Sequence, residues 1–250
     1  VGRSRYYRLA DGTMLPSVTT ILGVALNKPA LPGWAAKVVA EEAMAELPRL
    51  VRMSRTERGQ AVKWLKGSPY KQRDEAGAAG TKVHKLIEAH TLGKPFQVPD
   101  ADSPVGQTLG QFVRWMDEYK PEFEATEAVV ASYAGEYAGT LDAICRIPAM
   151  DNRLCVIDWK TSKTGPWPEW ALQIAAYARA EVLWLPDGTS VDMPTIEGAA
   201  VLRLRPDFFA LHEVTADLEE LIDIFNAARG LAVWAMDAQN NSPFGEETEA

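Results

Sequence analysis

The sequence predicts a mixed α/β fold: a helix, a three-strand antiparallel meander, a second helix and a further strand pair, behind an N-terminal helical region. Three observations carry this. The apolar stretches Phe123 to Ser132, Ala138 to Ile147 and Leu154 to Lys160 are joined by loops too short for crossovers. Segments of helical periodicity flank them. Two more strand patterns, Gly198 to Arg205 and Phe209 to Val214, follow. A chain of 250 residues can bury one large core. The expectation is a single domain over 1–237, with a hairpin and helical region at 1–67, the core and closing helix at 68–237, and an acidic flexible tail at 238–250.

Taken in order, Arg5 to Leu15 holds Asp11-Gly12 between short apolar stretches and reads as a hairpin. In Leu-Pro-Ser-Val-Thr-Thr-Ile-Leu, Ser17 or Thr19 can cap a short helix whose N-terminus, with Thr20, offers a seat for a phosphate. From composition alone it is an ordinary helix start. Pro32 opens a second helix running to about Leu47, and Ser54 to Leu65 is a third, rich in Arg and Lys. Ser68 to about Leu92 should contain the longest helix of the first half. On it Val83, Leu86, Ile87 and His90 recur at core spacing, while Gly77, Gly80, His84 and Glu88 form another stripe. Two glycines on one face cost on the order of 1 kcal/mol each relative to Ala and admit a close approach. On the residues alone, His84 is as readily a structural histidine as a ligand.

Lys94 to Ser103 is a loop, and Pro104 to Tyr119 an amphipathic helix stopped by Pro121. After the meander, Ser162 to Pro168 is a Gly/Pro loop and Glu169 to Trp184 a helix that shows Gln173 and Tyr177 four residues apart on one face. Ala216 to Met236 closes the fold.

The chain is expected to be soluble and cytoplasmic: no stretch is apolar enough to span a bilayer, and the start has no secretory apolar run. Cys145 and Cys155, the only cysteines, are too few for a thiolate metal or iron–sulfur site and read as core residues. The net charge of -8 is uneven. Residues 1–90 carry 15 Lys/Arg against 8 Asp/Glu, and residues 91–250 carry 11 against 26. A basic first third beside an acidic remainder suits a protein that meets phosphates on one side and chelates metal on the other, although charge on amphipathic helices also serves solvation alone.

The charged residues of the meander are the centre of the reading. Strand alternation puts Val156, Asp158 and Lys160 on one face and Cys155, Ile157 and Trp159 on the other. It likewise separates Thr140, Asp142 and Ile144 from Leu141, Ala143 and Cys145. A loop over Pro148 to Asn152 sets Asp142 opposite Asp158 and Cys145 opposite Cys155. Opposed carboxylates with Cβ atoms ~5 Å apart repel by ~3 kcal/mol at an effective dielectric near 20. Lys160 can offset part of that, and a hard divalent cation the rest. A solvated surface pair is the plain alternative, but these charges interrupt Leu-Cys-Val-Ile, an apolar run of the kind that lies inside a sheet.

Gly139-Thr-Leu-Asp142, Asp158-Trp-Lys160 and Gln173-x-x-x-Tyr177, with Gly80-Thr-Lys-Val-His84 upstream, resemble the PD-(D/E)XK nuclease superfamily and its RecB-type branch. The opening Leu-Pro-Ser-Val-Thr-Thr-Ile-Leu is similar to phage-encoded exonucleases of that branch, with lambda-type exonucleases more distant. The resemblance spans about residues 15 to 177. It implies a restriction-endonuclease-like core and a Mg²⁺- or Mn²⁺-dependent DNA exonuclease, working in recombination, repair or phage DNA metabolism in a bacterial or phage-infected cell.

By the resemblance, Asp142, Asp158 and His84 hold metal and Glu88 serves a second ion. Lys160 acts on the attacking water and the phosphate, Gln173 orients the site and Tyr177 contacts the substrate strand. Asp158 stands where many members have Glu, and the cysteine cluster of the iron–sulfur subgroup is missing, so no such cluster is expected. DNA is the implied partner, and a single-strand annealing protein or other recombination factor and a homo-oligomer fit the same picture. Two alternatives stand beside it: a structure-specific endonuclease of the same fold, and a catalytically silent DNA-binding scaffold.

Overall fold

A computed structural model describes residues 5–9, 12–185, 189–238 and 241–243. Asp11 of the expected hairpin and most of the expected tail lie outside the described residues. The chain parts into two compact units, Asn27–Lys82 and the remainder, Val1–Leu26 with Val83–Ala250. Among the described residues no helix is long and apolar enough to cross a membrane.

In the larger unit a two-stranded ribbon, β1 (Tyr6–Arg8) with β2 (Met14–Pro16), leads into α1 (Val18–Ala25). Ser17 caps α1 by accepting from the Thr20 N–H at 3.0 Å. The smaller unit holds α2 (Ala30–Ala45), α3 (Leu47–Thr56) and most of α4 (Arg58–Thr91). Here the expected boundary moves: the chain breaks at Glu57, and α4 runs through Pro69 where a new start was expected. Proline has no N–H for the carbonyl four residues back. The Ser68 hydroxyl donates to that carbonyl, on Leu65, at 2.8 Å, so the helix continues past the missing bond.

Next come α5 (Pro104–Tyr119), the meander β3 (Glu122–Ser132), β4 (Tyr137–Arg146) and β5 (Leu154–Lys160), and α6 (Pro168–Ala178). Then follow β6 (Val182–Trp184), β7 (Ser190–Asp192), β8 (Gly198–Leu204), β9 (Phe209–Glu213) and α7 (Leu218–Asp237). The helix expected to Trp184 thus ends at Ala178, because Val182 to Trp184 pairs with β3. Glu181 fixes the change of direction. Its carboxylate accepts from Ser132 Oγ and from the N–H groups of Tyr133 and Ala134 in the β3–β4 turn.

Seven strands form one mixed sheet in the order β7-β6-β3-β4-β5-β8-β9, antiparallel except for the β5–β8 pair. One face packs on α1, α6 and α7 through Ile21, Ile174 and Phe225. The other packs on α5 and the end of α4 through Phe112, Trp115 and Ile87. Trp159 inserts between Phe112 and Trp115, with centroids 5.5 Å from each, and this pins β5 by one face. Its neighbours Asp158 and Lys160 point to the opposite face. Cys145 and Cys155 are directly paired, buried free thiols in the α5-side core.

Candidate active site

The β4–β5 ladder runs Arg146↔Leu154, Cys145↔Cys155, Ile144↔Val156 and Ala143↔Ile157. The Cys145↔Cys155 pair is the one that the loop length predicts, and the ladder ends at Ala143↔Ile157, one step before Asp142 and Asp158. At that step a carboxylate replaces the ladder bond: Asp142 Oδ2 accepts from the Trp159 N–H at 2.6 Å. Its other oxygen, Oδ1, lies 3.1 Å from Nδ1 of His84, near the end of α4. His84 is set there by its own helix, because Val83, Leu86 and Ile87 are drawn into the core. His90, expected with them, stays exposed and only edges onto Phe96 and Phe112.

The alternation expected along β4 does not hold through Asp142. Leu141 and Ile144 pack in the same core, as do Ala125 and Ala128 of β3; three residues apart, each pair would face opposite ways in a regular strand. The cause is at Glu127, whose φ of 51° is left-handed, a conformation rare for a non-glycine residue in a strand. The β3–β4 ladder passes from Thr126↔Ala143 to Ala128↔Leu141 with no paired residues at Glu127 and Asp142. This kink brings three ligand atoms, from Glu127, Asp142 and His84, within 4.8 Å of one another. Glu127 is the residue that sequence reading missed. One signal was present: Glu122 and Glu124 share a parity that Glu127 breaks.

Across β5 a second group forms. Gln173 of α6 donates through Nε2 to Asp158 Oδ1 at 3.0 Å and accepts at Oε1 from Lys160 Nζ at 3.1 Å. Its Nε2 also donates to the Tyr177 hydroxyl at 3.0 Å. Lys160 Nζ lies 2.5 Å from Asp158 Oδ2, an ion pair that gives this buried oxygen its compensating charge. The Tyr177 ring is 3 % exposed and packs on Gly139, where a Cβ would fall 2.4 Å from the ring edge. The glycine of the Gly-Thr-Leu-Asp run therefore makes room for the tyrosine. The buried ring presents its hydroxyl to Gln173.

The electrostatics follow from packing negative charge out of water. Burial, then Asp142 beside it, raises the Glu127 carboxyl to about 7. Burial raises Asp158 to about 6, with Lys160 opposing and Asp142 reinforcing the shift. For His84, burial acts downward, but the charge and hydrogen bond of Asp142, with Asp158 and Glu127, outweigh it and raise the imidazole. The cluster holds more acid than its own cations balance. Two carboxylates and an imidazole, with the Asp158 carboxylate on the next strand, fit a hard divalent cation.

Glu88 is not brought into this donor group. Its Oε1 lies 3.3 Å from Lys94 Nζ, and its charge reaches the site only by helping raise Glu127. At the α1 end, Ser17 bridges to Ala138 of β4, but its hydroxyl is committed to Thr20 and Thr19. Thr20 Oγ1 in turn accepts from the Arg5 N–H at 2.9 Å. Of the expected phosphate seat, Thr19 is the exposed member.

No protein-family model and no curated protein matches the chain. Among solved structures it is similar to that of SSO0001, at 18% identity and TM-score 0.32, covering 79% of this chain and 74% of that one. It is also similar to an alkaline exonuclease (LHK-Exo) from Laribacter hongkongensis, at 11% identity and TM-score 0.38, covering 64% and 80%.

Proposed function

We propose that the protein is a divalent-metal-dependent nuclease that hydrolyses phosphodiester bonds of DNA, and more finely an exonuclease of recombination, repair or phage DNA metabolism. The observation that carries this reading is the pairing of two groups on adjacent strands. A donor set of His84, Glu127 and Asp142 stands beside Asp158 and Lys160 tied together by Gln173. The first three, with Asp158, would hold Mg²⁺ or Mn²⁺. Such an ion supplies neutralisation of phosphate charge and a more acidic water.

The chain's own residues do the rest. Lys160 is a cation in a one-fifth exposed site, able to stabilise negative charge growing on a phosphate and to orient the attacking water. Gln173 fixes the ammonium and the Asp158 carboxylate relative to each other, and Tyr177 fixes Gln173. His84, held by Asp142, keeps α4 against the kink in β3 and β4. Glu88 and Thr19 are left as outlying contacts for a second ion and a strand-end phosphate.

Linear and covalently closed circular DNA, incubated with Mn²⁺ or Mg²⁺, test the assignment. Loss of the linear form alone supports an exonuclease. Nicking of the closed circle would replace it by an endonuclease, and recovery of both forms intact under every metal would leave a silent scaffold.

A further inference from the structure

The smaller unit carries charge of a different kind. Its residues, 27–82, hold 11 Lys/Arg against 6 Asp/Glu, while the rest of the chain holds 15 against 28. Within it, α3 reads Leu-Pro-Arg-Leu-Val-Arg-Met-Ser-Arg-Thr and contains no acid. Arg49, Arg52 and Arg55 recur every third residue, which keeps them within one ~120° sector of the helix with a rise of ~4.5 Å between neighbours.

Many arginines outside α3 are engaged. Arg114, Arg146, Arg153, Arg179 and Arg229 each meet a carboxylate, and Arg203 and Arg205 donate to backbone carbonyls. Among the described residues, none of the three α3 arginines has a carboxylate within ion-pair distance, and all three are exposed.

Two adjoining grooves, of about 650 and 580 Å³, border this stripe and share Arg49, Met53 and Gln60. Trp64 and Lys63 line the larger, and Arg52 and Arg55 the smaller. The Arg49 guanidinium lies over the Trp64 ring, 4.6 Å from its centroid. Acids also border the grooves, but Glu75 is tied to Lys71 at 3.9 Å. Glu42 and Glu57 remain against Arg49, Arg52, Arg55 and Lys63.

A row of guanidinium groups without a described carboxylate partner, beside an indole, is the chemistry that grips a flexible polyanion carrying flat rings, by phosphate contacts and by stacking. From this we infer that the α3–α4 face of the smaller unit is a binding site for single-stranded DNA, separate from the residues that carry out cleavage. It stands on the groove residues alone and does not depend on the metal site.

The test is anisotropy of a labelled oligothymidylate with the full-length protein in chelator, where no divalent ion supports cleavage. Replacing Arg52 and Arg55 together by Ala should weaken binding about tenfold and flatten the dependence of log K on log salt by roughly 1.4, two phosphate contacts on a single strand. Trp64→Leu should weaken oligothymidylate more than an abasic oligomer of equal length, which a purely electrostatic surface would not do. Arg114→Ala, in the larger unit, should change nothing. Thermal melts confirm that each variant is folded.

Unchanged affinity in the double arginine variant would overturn the inference. Equal losses for single-stranded DNA and for heparin, or for vesicles of anionic lipid, would reduce the face to a general anion surface and overturn it as well. Because binding is read without metal, failure here leaves the nuclease reading standing, and an inactive metal site leaves this one standing.

Discussion

At the residue scale, the acids at the β3–β4–β5 junction are held against their own electrostatic interest. Asp158 is raised to about 6 by burial even with Lys160 beside it, so its ionised form costs stability near neutrality. Asp158→Asn keeps an acceptor for Gln173 and removes that charge. It should melt at the same or a higher temperature at pH 8 while losing cleavage; a drop of many degrees with activity retained would remove Asp158 from the site. Glu127 gives a second test. A carboxyl raised in the folded state contributes stability that is present below its ordinary range and lost as pH rises through its folded value, about 7 for Glu127. His84, also raised, acts in the same direction. In chelator the melting temperature should therefore fall as pH rises from the ordinary glutamate range to about 7, and Glu127→Gln should flatten that fall and weaken Mn²⁺ binding measured by calorimetry. Unchanged Mn²⁺ affinity in Glu127→Gln would mean that Glu127 lies outside the metal site. The β4–β5 register that draws Asp142 and Asp158 near each other was legible in the sequence because loop length sets the Cys145↔Cys155 pair. Glu127 was not, because its left-handed backbone is a tertiary outcome that no single-strand pattern announces.

At the scale of elements, the site is set by contacts between helices and the sheet. α6 lies where Gly139 of β4 leaves room for Tyr177, and Tyr177 and Gln173 are one turn apart, so the ring positions the amide that reaches β5. Gly139→Ala puts a methyl group 2.4 Å from the ring edge. Overpacking of that kind costs ~1 to 3 kcal/mol, and displacing α6 should lower kcat more than it changes metal affinity. If Gly139→Ala is as active and as stable as wild type, α6 does not depend on this contact. Helix and strand types in the meander were readable from alternation and short loops. Two boundaries were not. Ala178 to Trp184 reads Ala-Arg-Ala-Glu-Val-Leu-Trp, with no Gly or Pro to mark a helix end, and only the pairing of Val182 to Trp184 with β3 decides it. Pro69 marks a break by composition, but the Ser68 hydroxyl supplies what the helix lacks there.

For the whole molecule, the larger unit is a mixed sheet with helices on both faces, and its irregular centre is where β3, β4, β5, α4 and α6 converge. Charge is divided between a net-basic helical unit and an acidic remainder. The sequence showed that asymmetry as a basic first third, but not that α3 concentrates arginines with no carboxylate partner among the described residues, since pairing is a property of the fold. In the proposed metal-dependent nuclease site, Lys160 acts on the reacting phosphate and its water rather than on the ion. The measurement that tests it most directly is degradation of labelled DNA by wild type and Lys160→Ala, each with Mn²⁺, with Mg²⁺ and with chelator, beside DNA binding and a calorimetric Mn²⁺ titration. Wild type should cleave only with a divalent ion. Lys160→Ala should bind Mn²⁺ and DNA as wild type does yet cleave slower by on the order of a thousandfold, about 4 kcal/mol of lost transition-state stabilisation. Cleavage that persists in chelator, or at an undiminished rate in Lys160→Ala, would contradict the account.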